Sequence, residues 1–213
     1  MQEATSTGFA GRRSSRWIKR GMDLVLGTIL LIFAAPIMLV IACVIWIRDG
    51  RPILYQWKVV GQNGKPFLSW KFRTMVRDAD RRKQELMKFN EMQGPVFKMK
   101  EDPRITPSGR FLRKYSLDEL PQLWSVVRGD MSLVGPRPPL VTEYEKYEPW
   151  QKRKLSVIPG LTCVWQVEGR ADITDFNDWM RMDLEYIDHW SLLLDMKILF
   201  QTAAVVVRGR GAY

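Results

Sequence analysis

The stretch Leu24–Ile47, LVLGTILLIFAAPIMLVIACVIWI, decides the architecture of this chain. It holds 24 residues without a charge, and Pro36 stands in its middle. As a straight helix it is about 36 Å long at ~1.5 Å per residue, enough to cross a hydrocarbon core of about 30 Å. Pro36 has no backbone N–H, and its ring clashes with the carbonyl of Ile32. The run therefore divides into Leu24–Ala35 and Pro36–Ile47, each about 18 Å of helix and close to one leaflet. Charge adds a second constraint. Arg12, Arg13, Arg16, Lys19 and Arg20 precede the run, and Arg48, Arg51, Lys58, Lys65, Lys71, Arg73 and Arg77 follow it. Basic flanks mark the cytoplasmic side, and here both flanks point to the same side. A re-entrant helix-break-helix satisfies both votes. A spanning helix with a tolerated proline kink remains its equal on these features, because the charge rule weakens ahead of long domains.

Composition narrows the partners. Beyond residue 48 the chain has about 165 residues, room for one domain with its own core. The net charge of +10 calls for anionic partners. The apolar run makes these membrane lipid and phosphorylated substrates; no basic-aromatic motif supports nucleic acid. Nine tryptophans suit either a core or a membrane interface. Two distant cysteines, Cys43 and Cys163, and the single His189 give neither a zinc pattern nor a disulfide framework. The apolar run is too long for a signal peptide, and no small-residue cleavage site follows it.

Three regions emerge: a basic arm over residues 1–15, a membrane segment over 16–48 broken at Pro36, and a domain over 49–213. The fold class is α+β, mostly helical. Ile53–Val60 and Pro66–Thr74 read as a hairpin around Gly61-Gln62-Asn63-Gly64. Val76–Asn90 reads as a charged helix and Gln93–Ser108 as a loop. A helix starts between Ser116 and Asp118 and runs to Arg128. Val141–Val157 reads as a polar helix. Phe176–Val207 reads as one or two amphipathic helices, with Leu192, Met196, Leu199, Ala203 and Val206 on one face. That face suits either the core or the lipid interface.

The chemistry concentrates in Ser116-Leu117-Asp118-Glu119-Leu120-Pro121-Gln122. Ser116 and Glu119 fit a capping box, and Pro121 fits a first helical turn. Two adjacent carboxylates at a helix N-terminus are kept ionised by the dipole. Such a carboxylate can ligate Mg²⁺ or attack phosphorus. Taken alone, the pair is more readily a complement to the dipole. Around it, Lys71, Arg73, Arg104, Arg113, Arg137 between prolines, and Arg170 after Gly169 offer phosphate donors in stiff or Gly-rich settings. There is no GxxxxGK[ST] loop to hold a nucleotide in the usual way.

These blocks, in order, resemble the bacterial sugar transferases, the monotopic phosphoglycosyl transferases. They stand here as Lys19-Arg20-Gly21-Met22-Asp23, Lys71-Phe72-Arg73-Thr74-Met75, Asp102-Pro103-Arg104-Ile105-Thr106 and Ser116–Trp124. They continue as Gly129–Pro138, Pro159-Gly160-Leu161-Thr162, Gln166–Arg170 and Trp190–Asp195. The resemblance implies a re-entrant membrane helix with both ends on the cytoplasmic face of the bacterial inner membrane, and interfacial amphipathic helices. It implies Mg²⁺, a UDP-sugar donor and a polyprenyl (undecaprenyl) phosphate acceptor. Asp118 would be the nucleophile, forming an aspartyl phosphosugar and releasing UMP, and Glu119 would help hold Mg²⁺. Lys71, Arg113 and Arg137 match phosphate-handling positions, with Arg73 beside them; Arg170 and Gln166 are expected nucleotide contacts. The ending Arg208–Tyr213 resembles the hexose-1-phosphate branch. Where members often carry Ser before the central proline, this chain has Ala35, which offers no hydroxyl to a freed carbonyl. Oligomeric state stays open, a homodimer included. The competing reading is a non-catalytic, basic, membrane-anchored scaffold.

Overall fold

The computed structural model describes residues 13–168 and 173–209. Helices dominate, with two small two-stranded sheets among the described residues. The first helix, α1, runs unbroken from Arg13 to Asp49 with Pro36 inside it. Helical backbone thus continues on both sides of Pro36, within the segment expected to break there. The physical reason lies in the packing. Pro36 is exposed, so its missing N–H falls on the outer face. Ala34 and Ile41 on the inner face are buried, and Met38 packs between them, fixing the turns on either side. A helical proline costs about 3 kcal/mol in isolation, and tertiary burial of this order offsets it.

Lys19, Asp23, Gly27, Ala34, Ile41 and Ile45 form the buried stripe of α1. Their spacing of mostly four and seven residues keeps them on one face over the whole helix. The opposite face is apolar and bare: Trp17, Phe33, Leu39 and Ile47 are all more than 65% exposed. The segment Ser15–Asp49 is long and apolar enough to cross a membrane by length and composition. Yet both of its halves pack on the same domain.

That domain begins with a hairpin, β1 (Leu54–Val60) and β2 (Pro66–Phe72), paired antiparallel with Val60 opposite Pro66 and Tyr55 opposite Lys71. Asn63 takes a left-handed conformation in the connecting turn. The charged helix forms as α2 (Ala79–Leu86), shorter than expected. Pro107 then starts α3 (Pro107–Lys114) inside what reads as a loop, capped by the Thr106 hydroxyl. Next come a 3₁₀ segment, Leu117–Gln122, and α4 (Leu123–Arg128). A parallel pair, β3 (Ser132–Val134) and β4 (Gly160–Thr162), has three-residue strands too short to show a period. The single polar helix expected over 141–157 is divided. Pro149 starts α6 (Pro149–Lys152) afresh after α5 (Val141–Tyr144). The chain closes with α7 (Val164–Glu168), α8 (Phe176–Asp188) and α9 (Leu192–Val207).

The 3₁₀–α4 segment lies against the inner face of α1. Leu123 and Val126 pack with Leu26, Leu31 and Ala34. Leu117 and Leu120 pack with Ile41, Ala42 and Ile45. Polar ties secure both ends of α1. Lys19 Nζ meets Asp195 Oδ2 of α9 at 2.6 Å and the Val134 carbonyl at 3.0 Å. Tyr186 and Trp190 donate to the same carboxylate at 2.7 and 3.1 Å. Arg20 donates to the carbonyls of Val126 and Val127, capping α4. At the other end Arg73 donates to the carbonyls of Asp49, Gly50 and Arg51.

On α9 the buried face centres on Asp195 and Ile198, and Ala203 is exposed rather than on a core face. The polar network pulls Asp195 inward and rotates the helix away from the face its leucines suggest. Leu193, Phe200 and Val207 are left bare on one side.

Removing one partner of a buried ion pair strands the other charge. Lys19→Met should destabilise the fold by about 3–5 kcal/mol, and Lys19→Arg by less. Denaturant unfolding in detergent measures the difference.

Candidate active site

The turn into the 3₁₀ segment places the carboxylates. Ser116 adopts a left-handed conformation, φ 53°, and its side chain does not cap the helix. The capping box read from the sequence does not form. The Glu119 carboxylate is drawn instead to Lys71 on β2, Oε1 to Nζ 2.7 Å. The opposite charge of a lysine outweighs a neutral backbone N–H. Arg137 approaches the same oxygen at 3.8 Å. Asp118, next in chain, is buried and lies within electrostatic reach of Arg113 and Lys71.

Each cation is delivered by a separate element. Lys71 stands near the end of β2. Arg113 stands in the last turn of α3, its Nε donating to Thr74 Oγ1 at 2.9 Å. α3 comes this close to Thr74 because residue 109 is glycine; a Cβ there would lie 2.1 Å from the Thr74 carbonyl oxygen. Arg137 sits in the proline run, which is pinned on both sides. Val60 N–H donates to Pro139 O, and Gly160 N–H donates to Pro136 O, both at 2.9 Å. Asp102 and Arg104 form a buried ion pair nearby, 2.6 Å.

Lys71, Arg113, Asp118, Glu119 and Arg137 line one cavity of about 490 Å³. The aromatic side chains of Tyr147, Trp165, Phe176 and Trp179 also line it. Burial pulls the Lys71 ammonium below the ordinary 10.5; Glu119 opposes this shift and Arg137 adds to it. Burial also lowers Arg113, while Asp118 and Asp102 favour its charge. A guanidinium stays charged across the working range.

The other sequence-expected residues have different surroundings. Arg73 lines the cavity, but its terminal nitrogens are taken up by the carbonyls ending α1. Its place is structural. Gln166 is buried, and its Oε1 accepts from Cys163 N–H. Arg170 lies outside the described residues. His189 is at the end of α8, with its ring beside the Glu185 carbonyl. Two contributors were missed in the sequence: Thr74, which orients Arg113, and Trp57, whose ring lies 4.2 Å from Lys71 Nζ. The hairpin register carried a signal for Trp57, since a 60–66 pairing sets it diagonal to Lys71 on one face.

No group of three or more His, Cys, Asp or Glu among the described residues could hold a metal by itself. Mg²⁺ is commonly bound by one or two carboxylates, the rest of its shell being water and substrate phosphate. The adjacent pair Asp118 and Glu119 is a donor set of that kind, so the residues present fit the ion.

Two carboxylates, Asp118 and Glu119, and three basic side chains, Lys71, Arg113 and Arg137, thus line one cavity. The chain belongs to the bacterial sugar transferase family, whose model matches residues 14–209. It is 50% identical over 165 residues to the galactosyl transferase CpsE of Streptococcus agalactiae, covering 78% of this chain and 37% of that one. It is 45% identical over 210 residues to the undecaprenyl-phosphate galactose phosphotransferase of Salmonella typhimurium, covering 95% and 43%. It is 40% identical over 199 residues to the exopolysaccharide production protein ExoY of Sinorhizobium fredii, covering 92% and 88%. The chain thus spans less than half the length of the first two relatives and most of the third.

Two outcomes test this geometry. A Cβ at residue 160 would sit 2.1 Å from Gly135 N, so Gly160→Ala must displace the strand that pins the Arg137 loop. It should lower stability by about 1–3 kcal/mol, read by thermal unfolding. For Lys71, the charged form is lost as pH rises through a value below 10.5. Activity should therefore decline on the alkaline side, and Lys71→Arg should move that decline to higher pH in a pH–rate profile.

Proposed function

We propose that this protein transfers a hexose-1-phosphate from a UDP-sugar to polyprenyl (undecaprenyl) phosphate, initiating a lipid-linked glycan. The observation that carries this reading is the convergence of Lys71, Arg113 and Arg137 on Asp118 and Glu119 in one cavity. The names of the relatives support the donor and acceptor classes, galactose and glucose among the sugars.

In the first half-reaction a carboxylate oxygen of Asp118 attacks the sugar-bearing phosphorus. The new O–P bond forms as the bond to the bridging oxygen breaks, and UMP leaves with the electron pair. In the second, a phosphate oxygen of the polyprenyl phosphate attacks the same phosphorus. The aspartyl O–P bond breaks, the Asp118 carboxylate returns, and polyprenyl-diphosphate-sugar forms. A covalent intermediate lets a water-soluble donor and a lipid acceptor react in turn. Lys71, Arg113 and Arg137 neutralise the diphosphate, so that an anionic nucleophile can approach it. Glu119, with Asp118, would hold Mg²⁺, which supplies further charge neutralisation on the phosphate oxygens. Lys71 and Arg137 meanwhile orient the Glu119 carboxylate.

We place both flanks of α1 on the cytoplasmic face of the inner membrane. A helix crossing the bilayer would have its soluble domain at one end. Here the domain contacts α1 from Lys19 to Ile45, about 39 Å of helix at 1.5 Å per residue. That supports a monotopic arrangement, with the bare faces of α1 and α9 in lipid and residues 49–213 as the cytoplasmic catalytic domain.

Purified protein in detergent, given UDP-galactose or UDP-glucose, undecaprenyl phosphate and Mg²⁺, should release UMP and form lipid-linked sugar. Asp118→Asn should reduce release at least 10³-fold; full activity in that variant sinks the nucleophile assignment. For topology, Ser15→Cys and Asn63→Cys should each react with an impermeant thiol reagent only from the cytoplasmic side. Labelling from opposite sides rejects the monotopic placement.

A further inference from the structure

We propose that Trp57 is a positioning residue, one aromatic face that holds both Lys71 and Arg137 against Glu119. The inference deepens the catalytic reading and rests on it. Trp57 lies on β1 opposite Ser69, which sets it diagonal to Lys71 on the same face of the hairpin. The Lys71 ammonium lies 4.2 Å from the centroid of its ring, and the Arg137 guanidinium carbon 6.0 Å away. Both cations also face Glu119, at 2.7 and 3.8 Å. Two like charges thus share one carboxylate, an arrangement that repulsion alone would spread apart. The negative face of an indole attracts cations without offering them a second anion. It draws both toward Glu119 and keeps water from one side of them.

The ring's other features do not explain its place. The indole N–H of Trp57 is buried and meets no acceptor among the described residues. The contact is made by the face of the ring and not by its donor. Arg137 is further bounded by Trp165, whose ring centroid is 5.9 Å from the guanidinium carbon. Trp165 is itself stacked on Trp179 at 4.3 Å and 3°. The guanidinium therefore lies between the Trp57 ring on the hairpin and the stacked Trp165–Trp179 pair, and Trp57 sets how close it comes to Glu119. A side chain of equal burial without a π face would leave Lys71 and Arg137 to separate. The loss would fall on turnover, where the cations meet developing charge, more than on KM.

The test compares Trp57→Leu and Trp57→Met, which keep apolar bulk, with Trp57→Phe, which keeps a π face. The full chain in detergent is assayed with UDP-galactose, undecaprenyl phosphate and Mg²⁺ for kcat and KM, beside Asp118→Asn. Trp57→Leu and Trp57→Met should lower kcat roughly 5- to 30-fold with little change in KM. Trp57→Phe should stay within about 3-fold of the parent. If Leu and Met variants match the parent in kcat, Trp57 does not position the cations. If the Phe variant is as impaired as they are, ring size and packing explain the residue and the proposal is overturned. Full UMP release by Asp118→Asn instead defeats the catalytic reading itself. An inactive Asp118→Asn beside an unaffected Trp57→Leu defeats this inference alone.

Discussion

A lysine ammonium and an aspartate carboxylate 176 positions apart meet at 2.6 Å, and the arrangement of the chain follows from that contact. Lys19 and Asp195 are both buried, where an unmatched charge is costly. Each is further satisfied: the lysine by the Val134 carbonyl, the aspartate by Tyr186 and Trp190. The cluster joins the first helix, the last helix and β3 at one point. With Arg20 capping α4 and Arg73 capping the end of α1, the long apolar helix is fastened to the domain at both ends.

That fastening reaches the chemistry. The segment carrying Asp118 and Glu119 packs its apolar residues on α1, while its carboxylates turn the other way, toward β2 and the proline run. One short element thus packs on the apolar helix with one face and presents its carboxylates to the cavity with the other. The position of α1 and that of the carboxylates are coupled by this packing.

Within the site, repulsion and attraction are closely set. Glu119 gathers cations from two different elements, and Asp118 lies beside a third. On the proposed reading, such a cluster would suit an anionic substrate. Stiffness comes from backbone pairing on both sides of the Arg137 loop and from glycines at 109 and 160, where no side chain would fit.

Much of this was legible in the sequence. The 24-residue apolar run, the hairpin around Gly61–Gly64 and the ordered blocks of motif are local signals, and local physics fixes them. Lys71, Arg113, Asp118, Glu119 and Arg137 were nominated from residue type and resemblance, and the fold brings all five to one cavity. What the sequence misjudged depended on distant partners. Pro36 reads as a break, yet burial of Ala34 and Ile41 carries the helix through it. Ser116 and Glu119 read as a capping box, yet Lys71, 48 positions away, takes the carboxylate. Arg73 reads as a phosphate donor, yet it closes the end of α1. The sequence by itself determined the apolar helix, the family and the reactive residue types. Only tertiary structure decided which charges pair, because a charged side chain goes to the nearest opposite charge in space, and spacing along the chain does not reveal it.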